Sequence, residues 1–256
     1  MDQQELNYDK YYWLNDESRL FLSRGYLKEG LSPEKRIKQI SDFAEKILEI
    51  DGFSKKFEEY MSLGYYSLST PVWINFGYDK NVGISCYGSD VQDNLDSILN
   101  CGREIGMMSK YGGGTSVYLG NIRKRGSSIS SGGTSDGAVH YSKMYDTIID
   151  TCKQGSSRRG SCAIYLPIEH GDIDEFLDIS TEGNPIQNLQ TGITISDDWM
   201  RDMISGNTKK RKIWAKVIQR RSEVGFPYLF FKDNVNNNSP YKELGLEINH
   251  SNLCFQ

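Results

Sequence analysis

Long apolar runs, a basic leader and clustered metal ligands are all lacking in this chain. No apolar run reaches the roughly 18 residues that a membrane-spanning helix needs. The opening residues, Met1 to Glu5, lack the basic-then-apolar order of a secretion signal. The three histidines, His140, His170 and His250, form no HxxxH or Cys/His ligand pair. We therefore expect no membrane association and no metal site.

The chain also lacks a large excess of charge of either sign. The 30 lysines and arginines stand against 34 aspartates and glutamates, which leaves a net charge of -4. This balance gives no sequence-wide attraction to nucleic acid or to an anionic membrane, so we expect neither partner. The five cysteines are odd in number and have no CxxC spacing. We therefore expect a reducing, cytoplasmic location in which a cysteine is available for chemistry.

The chain has the length and apolar content of a folded protein. The 256 residues are 38% hydrophobic, enough for one large core or two modest ones. Residues 1–64 have helical spacing, with apolar side chains at Ile37, Ile40 and Ala44. Residues 65–256 alternate short apolar runs with longer amphipathic ones, which is typical of an α/β fold with a mainly parallel sheet. The sequence thus predicts a helical N-terminal domain followed by an α/β domain.

The individual elements after residue 64 follow from this alternation. The predicted strands are Val82–Gly88, Thr115–Leu119, Ala163–Leu166, Gly192–Ile195 and Tyr228–Phe231. The predicted helices are Asp93–Ser109, Ala138–Thr151, Asp172–Leu177, Asp197–Ser205 and Lys210–Glu223. Two stretches are predicted to be turns, Lys232–Pro240 and the Ser69-Thr70-Pro71 run before a further apolar segment.

Two loops carry residue types that suit a nucleotide. Gln154–Gly160 and Asn121–Gly126 combine glycine backbone N–H donors with guanidinium groups, which fit a phosphate or a base edge. Neither has the Gly-Lys-Ser/Thr ending of a phosphate loop, so a solvated surface turn stays open as an alternative. Cys86 lies in a predicted strand, where a cysteine is usually an inert, small apolar residue. A packing role therefore stays open for it. The three cysteines that fit packing roles are Cys101, Cys152 and Cys162.

Six segments together carry a resemblance to one enzyme family. They are Leu68–Trp73, Ile84–Cys86, Lys110–Ser116, Gln154–Gly160, Glu182–Gln187 and Ser251–Cys254. In this order they resemble the large catalytic subunit of class I ribonucleotide reductase. The resemblance implies the family's ten-stranded α/β barrel, which consists of two five-stranded parallel halves. About five predicted strands correspond to the first half, preceded by a helical segment without the ATP-cone domain of many relatives.

The resemblance assigns catalytic roles to three residues. Cys254 matches the cysteine whose thiyl radical abstracts the ribose 3′ hydrogen. Cys86 matches one of the two thiols that reduce the activated ribose and then form a disulfide. Asn252 matches an asparagine that hydrogen-bonds the ribose. The second reducing cysteine belongs to a later part of the family's sequence.

The resemblance also implies binding residues and partners. Substrate-binding positions are matched by Ser69, Thr70, Ser85 and Arg158, the last in a loop that links effector and substrate base. Asp93 and Arg123 match residues that hold an ATP or deoxynucleoside triphosphate effector. The helices beginning near Asp93 and Ala138 match those of the family's dimer interface. No cofactor is expected on the chain itself, since a metal-containing small subunit supplies the radical and thioredoxin or glutaredoxin supplies electrons.

One position departs from the family pattern. The family has a glutamate two residues after the radical cysteine, as the base at the 3′ hydroxyl, and this chain has Gln256, whose amide accepts no proton at ordinary pH. We expect an interrupted or split large subunit that is inactive until a C-terminal fragment joins it. Two alternatives are a non-catalytic nucleotide-binding remnant and an N-extein followed by an intein, in which Cys254 is the splicing nucleophile.

Overall fold

The computed structural model describes residues 10–78, 83–152, 160–179 and 181–253. The chain folds into two compact units, Met1–Ser85 and Cys86–Gln256. The boundary between them lies later than the domain boundary of the sequence prediction at 64/65. The difference arises because Trp73, only 5% exposed, is part of the hydrophobic core of the first unit.

The first unit is helical, as its apolar spacing predicts. Its helices are α1 (Asp16–Ser23), α2 (Pro33–Leu48), α3 (Phe53–Ser62) and α4 (Thr70–Asn75). Asn15 caps α1 by accepting a hydrogen bond from the Ser18 backbone amide at 2.8 Å. In α2, Ile37 and Ile40 are fully buried. The helical spacing around them therefore marks the face that enters the core.

Helix α4 corrects the prediction of a turn followed by an apolar extended segment. Ser69 is extended and Thr70 begins the helix, with Pro71 in its first turn, where the missing proline N–H is not needed. The C-terminal carbonyls of α4 accept hydrogen bonds from the buried Arg36 guanidinium, which donates to Val72, Trp73 and Phe76 at 2.7–3.1 Å. This support comes from a residue more than 30 positions away, so the local sequence does not reveal it.

The second unit is built on a five-stranded parallel sheet, which confirms the predicted α/β fold and half-barrel strand count. The strands lie side by side in chain order: β1 (Cys86–Asp90), β2 (Gly114–Tyr118), β3 (Ser161–Pro167), β4 (Leu189–Ile195) and β5 (Tyr228–Phe231). The helices of this unit are α5 (Leu95–Lys110), α6 (Ala138–Thr151), α7 (Ile173–Phe176), α8 (Asp197–Ile204), α9 (Thr208–Val224) and α10 (Lys232–Asn238). Within the described residues, no helix is long and apolar enough to cross a membrane.

Two elements of this unit differ most from their predictions. Strand β1 begins at Cys86, whereas the predicted strand begins at Val82, which lies outside the described residues. The stretch from Lys232 is a helix, although its asparagines favour turns. Tertiary hydrogen bonds support α10, since Asp233 accepts the Asp197 amide at 2.6 Å and Asn236 binds both polar groups of the Ile248 backbone. These partners override the weak helix propensity.

The sheet has a different neighbour on each face. On one face Val117, Ile164 and Ile193 belong to the large hydrophobic core that includes residues of α5 and α6. On the other face Tyr118, Ala163 and Tyr165 form a smaller cluster with Ile248 and Leu253, near the end of the described chain. Alternate residues of a strand point to opposite faces, which accounts for this division.

Candidate active site on the thiol face of the sheet

Strand β1 presents Cys86 on the face opposite the main helical core. We call this the thiol face, defined by Cys86, Gly88 and Asp90, which share it because side chains alternate along a strand. Gly88 and Asp90 both lie next to His250, so Cys86 faces the same side as the end of the described chain. Cys86 is a half-buried thiol.

Residues 248–253, called here the C-terminal segment, cross the thiol face. The crossing is fixed at β4, where the Thr194 hydroxyl donates to the Asn249 carbonyl at 2.7 Å. Asn236 of α10 pairs with the Ile248 backbone through two hydrogen bonds of 2.8 Å. The segment is therefore held by side chains of two different elements before it reaches β1.

His250 lies at the centre of this crossing. Its ring stacks on Tyr118, with centroids 6.0 Å apart and an interplanar angle of 15°, and lies 5.6 Å from the Tyr165 ring. Its Nδ1 is 3.4 Å from Asp90 Oδ1, and this hydrogen bond holds the pKa of the Asp90 carboxyl below its usual value. The sequence indicates only that His250 belongs to no metal-ligand pair, because its partners are far away in the chain.

Leu253 brings the segment to the start of β1. A Cβ built on Gly114 would lie 2.5 Å from Leu253 Cδ2, so the leucine side chain rests directly on this glycine. Gly114 is the register partner of Cys86 on the neighbouring strand, and adjacent strands are about 4.8 Å apart. Asn252 is exposed beside it. Cys254 and Gln256 lie outside the described residues.

The other predicted substrate-binding residues fall in different parts of the chain. Ser69 is exposed before α4, Thr70 is half-buried at its first position, and Ser85 is half-buried. All three belong to the first unit. Arg158 lies outside the described residues.

The two predicted effector residues meet in the structure. Arg123 Nε donates to Asp93 Oδ2 at 2.6 Å, and Arg123 Nη1 donates to the Ser128 carbonyl at 2.9 Å. Arg123 belongs to the β2–α6 loop, defined as residues 119–137, and Asp93 to the loop between β1 and α5. Both loops leave the carboxyl ends of adjacent parallel strands, where α/β sheets commonly bind ligands. Each side chain remains about one-third exposed.

Two of the remaining cysteines are buried, unlike Cys86. Cys101 and Cys162 lie in the main core, where burial raises the pKa of the Cys101 thiol to about 11 and that of Cys162 to about 12. Both therefore stay protonated and unreactive at neutral pH. Cys152 is half-buried at the C-terminal end of α6.

Comparison with known proteins decides the family. The family described as ribonucleotide reductase, barrel domain, matches residues 84–209 and 202–256. The chain belongs to this family. The class Id ribonucleotide reductase alpha subunit of Actinobacillus ureae is 50% identical, with a TM-score of 0.88 over 96% of this chain and 46% of that one.

Curated ribonucleotide reductases are more distant relatives. The large subunit of Invertebrate iridescent virus 6 is 30% identical, matching 89% of this chain and 26% of its own length. The vitamin B12-dependent enzyme of Thermoplasma acidophilum is 28% identical, over 90% of this chain and 32% of its own. The chain thus spans about a quarter to a third of these curated ribonucleotide reductases.

Proposed function

We propose that this chain contributes the first half of the catalytic barrel to a ribonucleoside-diphosphate reductase. One observation carries the proposal: the C-terminal segment crosses the thiol face until Leu253 rests on Gly114, the strand partner of Cys86. The next residue in the chain is Cys254. A radical cysteine and a reducing cysteine both have to reach the same ribose, so a segment that rests on the strand partner of Cys86 and is followed in sequence by Cys254 favours this chemistry.

The proposed reaction uses the two thiols in different ways. A thiyl radical on Cys254 takes the 3′ hydrogen of the ribose and returns it at the end of the reaction. Cys86 and a second cysteine together give two hydrogens: one leaves with the 2′ hydroxyl as water, and the other replaces that hydroxyl on C2′. The two sulfurs form a disulfide. One ribonucleoside diphosphate and two thiols thus become one deoxyribonucleoside diphosphate, one disulfide and one water.

Further residues are proposed to bind the substrate. Asn252 would hydrogen-bond the ribose, since its exposed amide directly precedes the Leu253–Cys254 pair. Hydroxyl groups of Ser69, Thr70 and Ser85 would serve the diphosphate and ribose. Arg158 would relay the identity of the effector to the substrate base. These assignments come from the family motif.

An allosteric site is proposed at Asp93 and Arg123. Their 2.6 Å ion pair leaves both side chains partly exposed, so the phosphates of a nucleoside triphosphate could take the place of Asp93 at the Arg123 guanidinium. ATP and deoxynucleoside triphosphates are the proposed effectors. The neighbouring α5 and α6 pack on each other through Gly102 and Ile148, and α5 exposes Leu95 and Leu99. We assign this apolar surface to a homodimer.

The complete enzyme needs further components. A C-terminal large-subunit segment would supply the second half of the barrel, the second cysteine and a base in place of Gln256. A metal-containing small subunit would supply the oxidising equivalent that converts the Cys254 thiol into a thiyl radical. Thioredoxin or glutaredoxin would reduce the disulfide after each turnover.

The experiment is reconstitution with a candidate C-terminal fragment and small subunit, followed by an assay of deoxyribonucleotide formation. Cys86→Ser and Cys254→Ser should each abolish product and leave effector binding unchanged. Cys152→Ser is the control, because that thiol has no part in the proposed reaction, and it should keep wild-type turnover. Turnover in the Cys86→Ser variant, or in the Cys254→Ser variant, would remove that residue from the mechanism. Effector binding without any wild-type turnover would instead favour the non-catalytic nucleotide-binding alternative.

A further inference from the structure

The stem of the β2–α6 loop, meaning residues 122–125 and the junction with α6, is held by residues that no part of the proposed mechanism uses. These residues, His170, Asp172 and Glu175, lie in the crossover after β3 and in α7. Together they contact the loop on both sides of Arg123 and the first residue of α6. We call this group the stem anchor.

Asp172 ties the part of the loop around Arg125 to the start of α6. One carboxylate oxygen accepts the Arg125 amide at 2.9 Å, and the other accepts the Ala138 amide at 2.9 Å. The residue is only 6% exposed. Hydrogen bonds to a buried carboxylate are about twice as strong as neutral ones, so this closure is firm.

The same carboxylate serves as the missing cap of α6. Gly137 is the N-cap residue and has no side chain to accept an amide. Its φ is +83°, and a Cβ at this position would collide with the Asp172 carboxylate. Asp172 therefore takes the capping role from a distant part of the chain, and its negative charge favours the N-terminal end of the helix.

His170 anchors the other side of Arg123. The Asp172 amide donates to His170 Nδ1 at 3.1 Å, which makes Nδ1 the acceptor nitrogen. The proton then lies on Nε2, which donates to the Ile122 carbonyl at 2.8 Å. One imidazole thus links the anchor backbone to the residue immediately before Arg123.

Arg125 adds a third connection. Its guanidinium binds Glu175 through two hydrogen bonds of 3.0 and 2.8 Å. Both side chains are more than 40% exposed, so this pair adds little stability. The buried Asp172 and His170 contacts are the stronger part of the anchor.

These contacts fix the backbone on both sides of Arg123. We infer that His170 and Asp172 are positioning residues for the effector site, because they hold Ile122 and Arg125 and so aim the Arg123 guanidinium at Asp93. The inference rests on the proposed effector role of Arg123. It also connects the effector loop to α6, since the carboxylate that closes the loop begins the helix.

The test is effector binding by the full chain, assembled with its C-terminal partner. Binding of thymidine triphosphate and of ATP is measured by calorimetry for wild type, Asp172→Asn and His170→Leu. An asparagine has only one acceptor oxygen, so it leaves the Arg125 or the Ala138 amide facing an NH2 group. We expect the effector Kd to rise about tenfold in Asp172→Asn and His170→Leu. Turnover at saturating effector should return to near the wild-type rate.

Two further variants separate positioning from general loss of structure. His170→Gln keeps an N–H donor near the Nε2 position and should recover most of the affinity that His170→Leu loses. Glu169→Gln changes the exposed residue next to His170 and should bind like wild type. Equal affinity in wild type, Asp172→Asn and His170→Leu would refute the anchor role alone. A wild-type assembly that binds neither nucleotide would refute the effector site, and the anchor role with it.

Discussion

Replacing Gly114 with alanine should change the stability of the second unit in opposite directions, depending on the residue at 253. Gly114 has no positive φ, so its backbone accepts alanine. Within a strand, alanine is favoured over glycine by about 0.5–1 kcal/mol. In the native chain, however, the added Cβ would lie 2.5 Å from Leu253 Cδ2. Overpacking of this kind costs about 1–3 kcal/mol.

The expected magnitudes follow from these two opposing effects. Gly114→Ala alone should destabilise the second unit by about 1–2 kcal/mol. In a Leu253→Ala background the nearest leucine atoms are gone and only a Cβ contact at 3.3 Å remains. There the same substitution should be neutral or stabilise by up to about 1 kcal/mol. The coupling free energy between the two positions is therefore about 1–3 kcal/mol.

The measurement is urea unfolding followed by labelling of the buried Cys101 and Cys162 thiols, which report on the second unit alone. A control pair combines Leu253→Ala with Val217→Ala. Val217 lies in the core on the opposite face of the sheet, so the two effects should add within about 0.5 kcal/mol. An identical Gly114→Ala effect in both backgrounds would refute the crossing of the thiol face by the C-terminal segment.

Three further predictions concern buried and paired groups. Arg36→Leu removes the guanidinium donor from the Val72, Trp73 and Phe76 carbonyls and should destabilise the first unit by about 3–5 kcal/mol in urea unfolding, whereas Lys35→Leu, at an exposed position, should change its stability by less than about 0.5 kcal/mol. Tyr145→Phe removes the hydroxyl that donates to the Ile98 carbonyl at 3.1 Å and should cost about 1 kcal/mol; no loss would contradict this bond. Asp90→Asn should lower stability by less than about 1 kcal/mol near neutral pH, because the carboxylate is 42% exposed. Since its pKa is lowered in the folded state, the Asp90 contribution is present above the ordinary value of 3.8 and disappears as the pH falls through the folded-state pKa, so wild type and variant should converge at the acid end of an unfolding series. A constant difference across that range would contradict the Asp90–His250 pair.

Local pattern was enough to predict most of the second unit. Helix α6 occupies its predicted bounds, Ala138–Thr151, because a glycine precedes it and its apolar residues recur at helical spacing. Strand β5 also matches its predicted bounds, Tyr228–Phe231, as a short apolar run after a proline turn. Both are cases in which local propensity and burial agree.

Prediction was weaker where distant partners stabilise an element. The residues of helices α4 and α10, taken alone, favour a turn. Helix α4 is stabilised by Arg36, and α10 is stabilised by contacts with Asp197 and Ile248. The pairing of His250 with Asp90 joins residues 160 positions apart, and no spacing rule connects them. The Asp172 cap of α6 is also non-local, since donor and acceptor are 34 positions apart.

The sequence by itself determined the α/β alternation, the number of strands and the motifs that resemble a ribonucleotide reductase, because periodicity and motif spacing are local properties of a chain. Only the tertiary structure decided which of those motifs meet. Strand register places Cys86 on the same face as the C-terminal segment, and the loop stem brings Arg123 to Asp93. Register and loop anchoring depend on contacts between residues far apart in the chain, which local patterns do not specify.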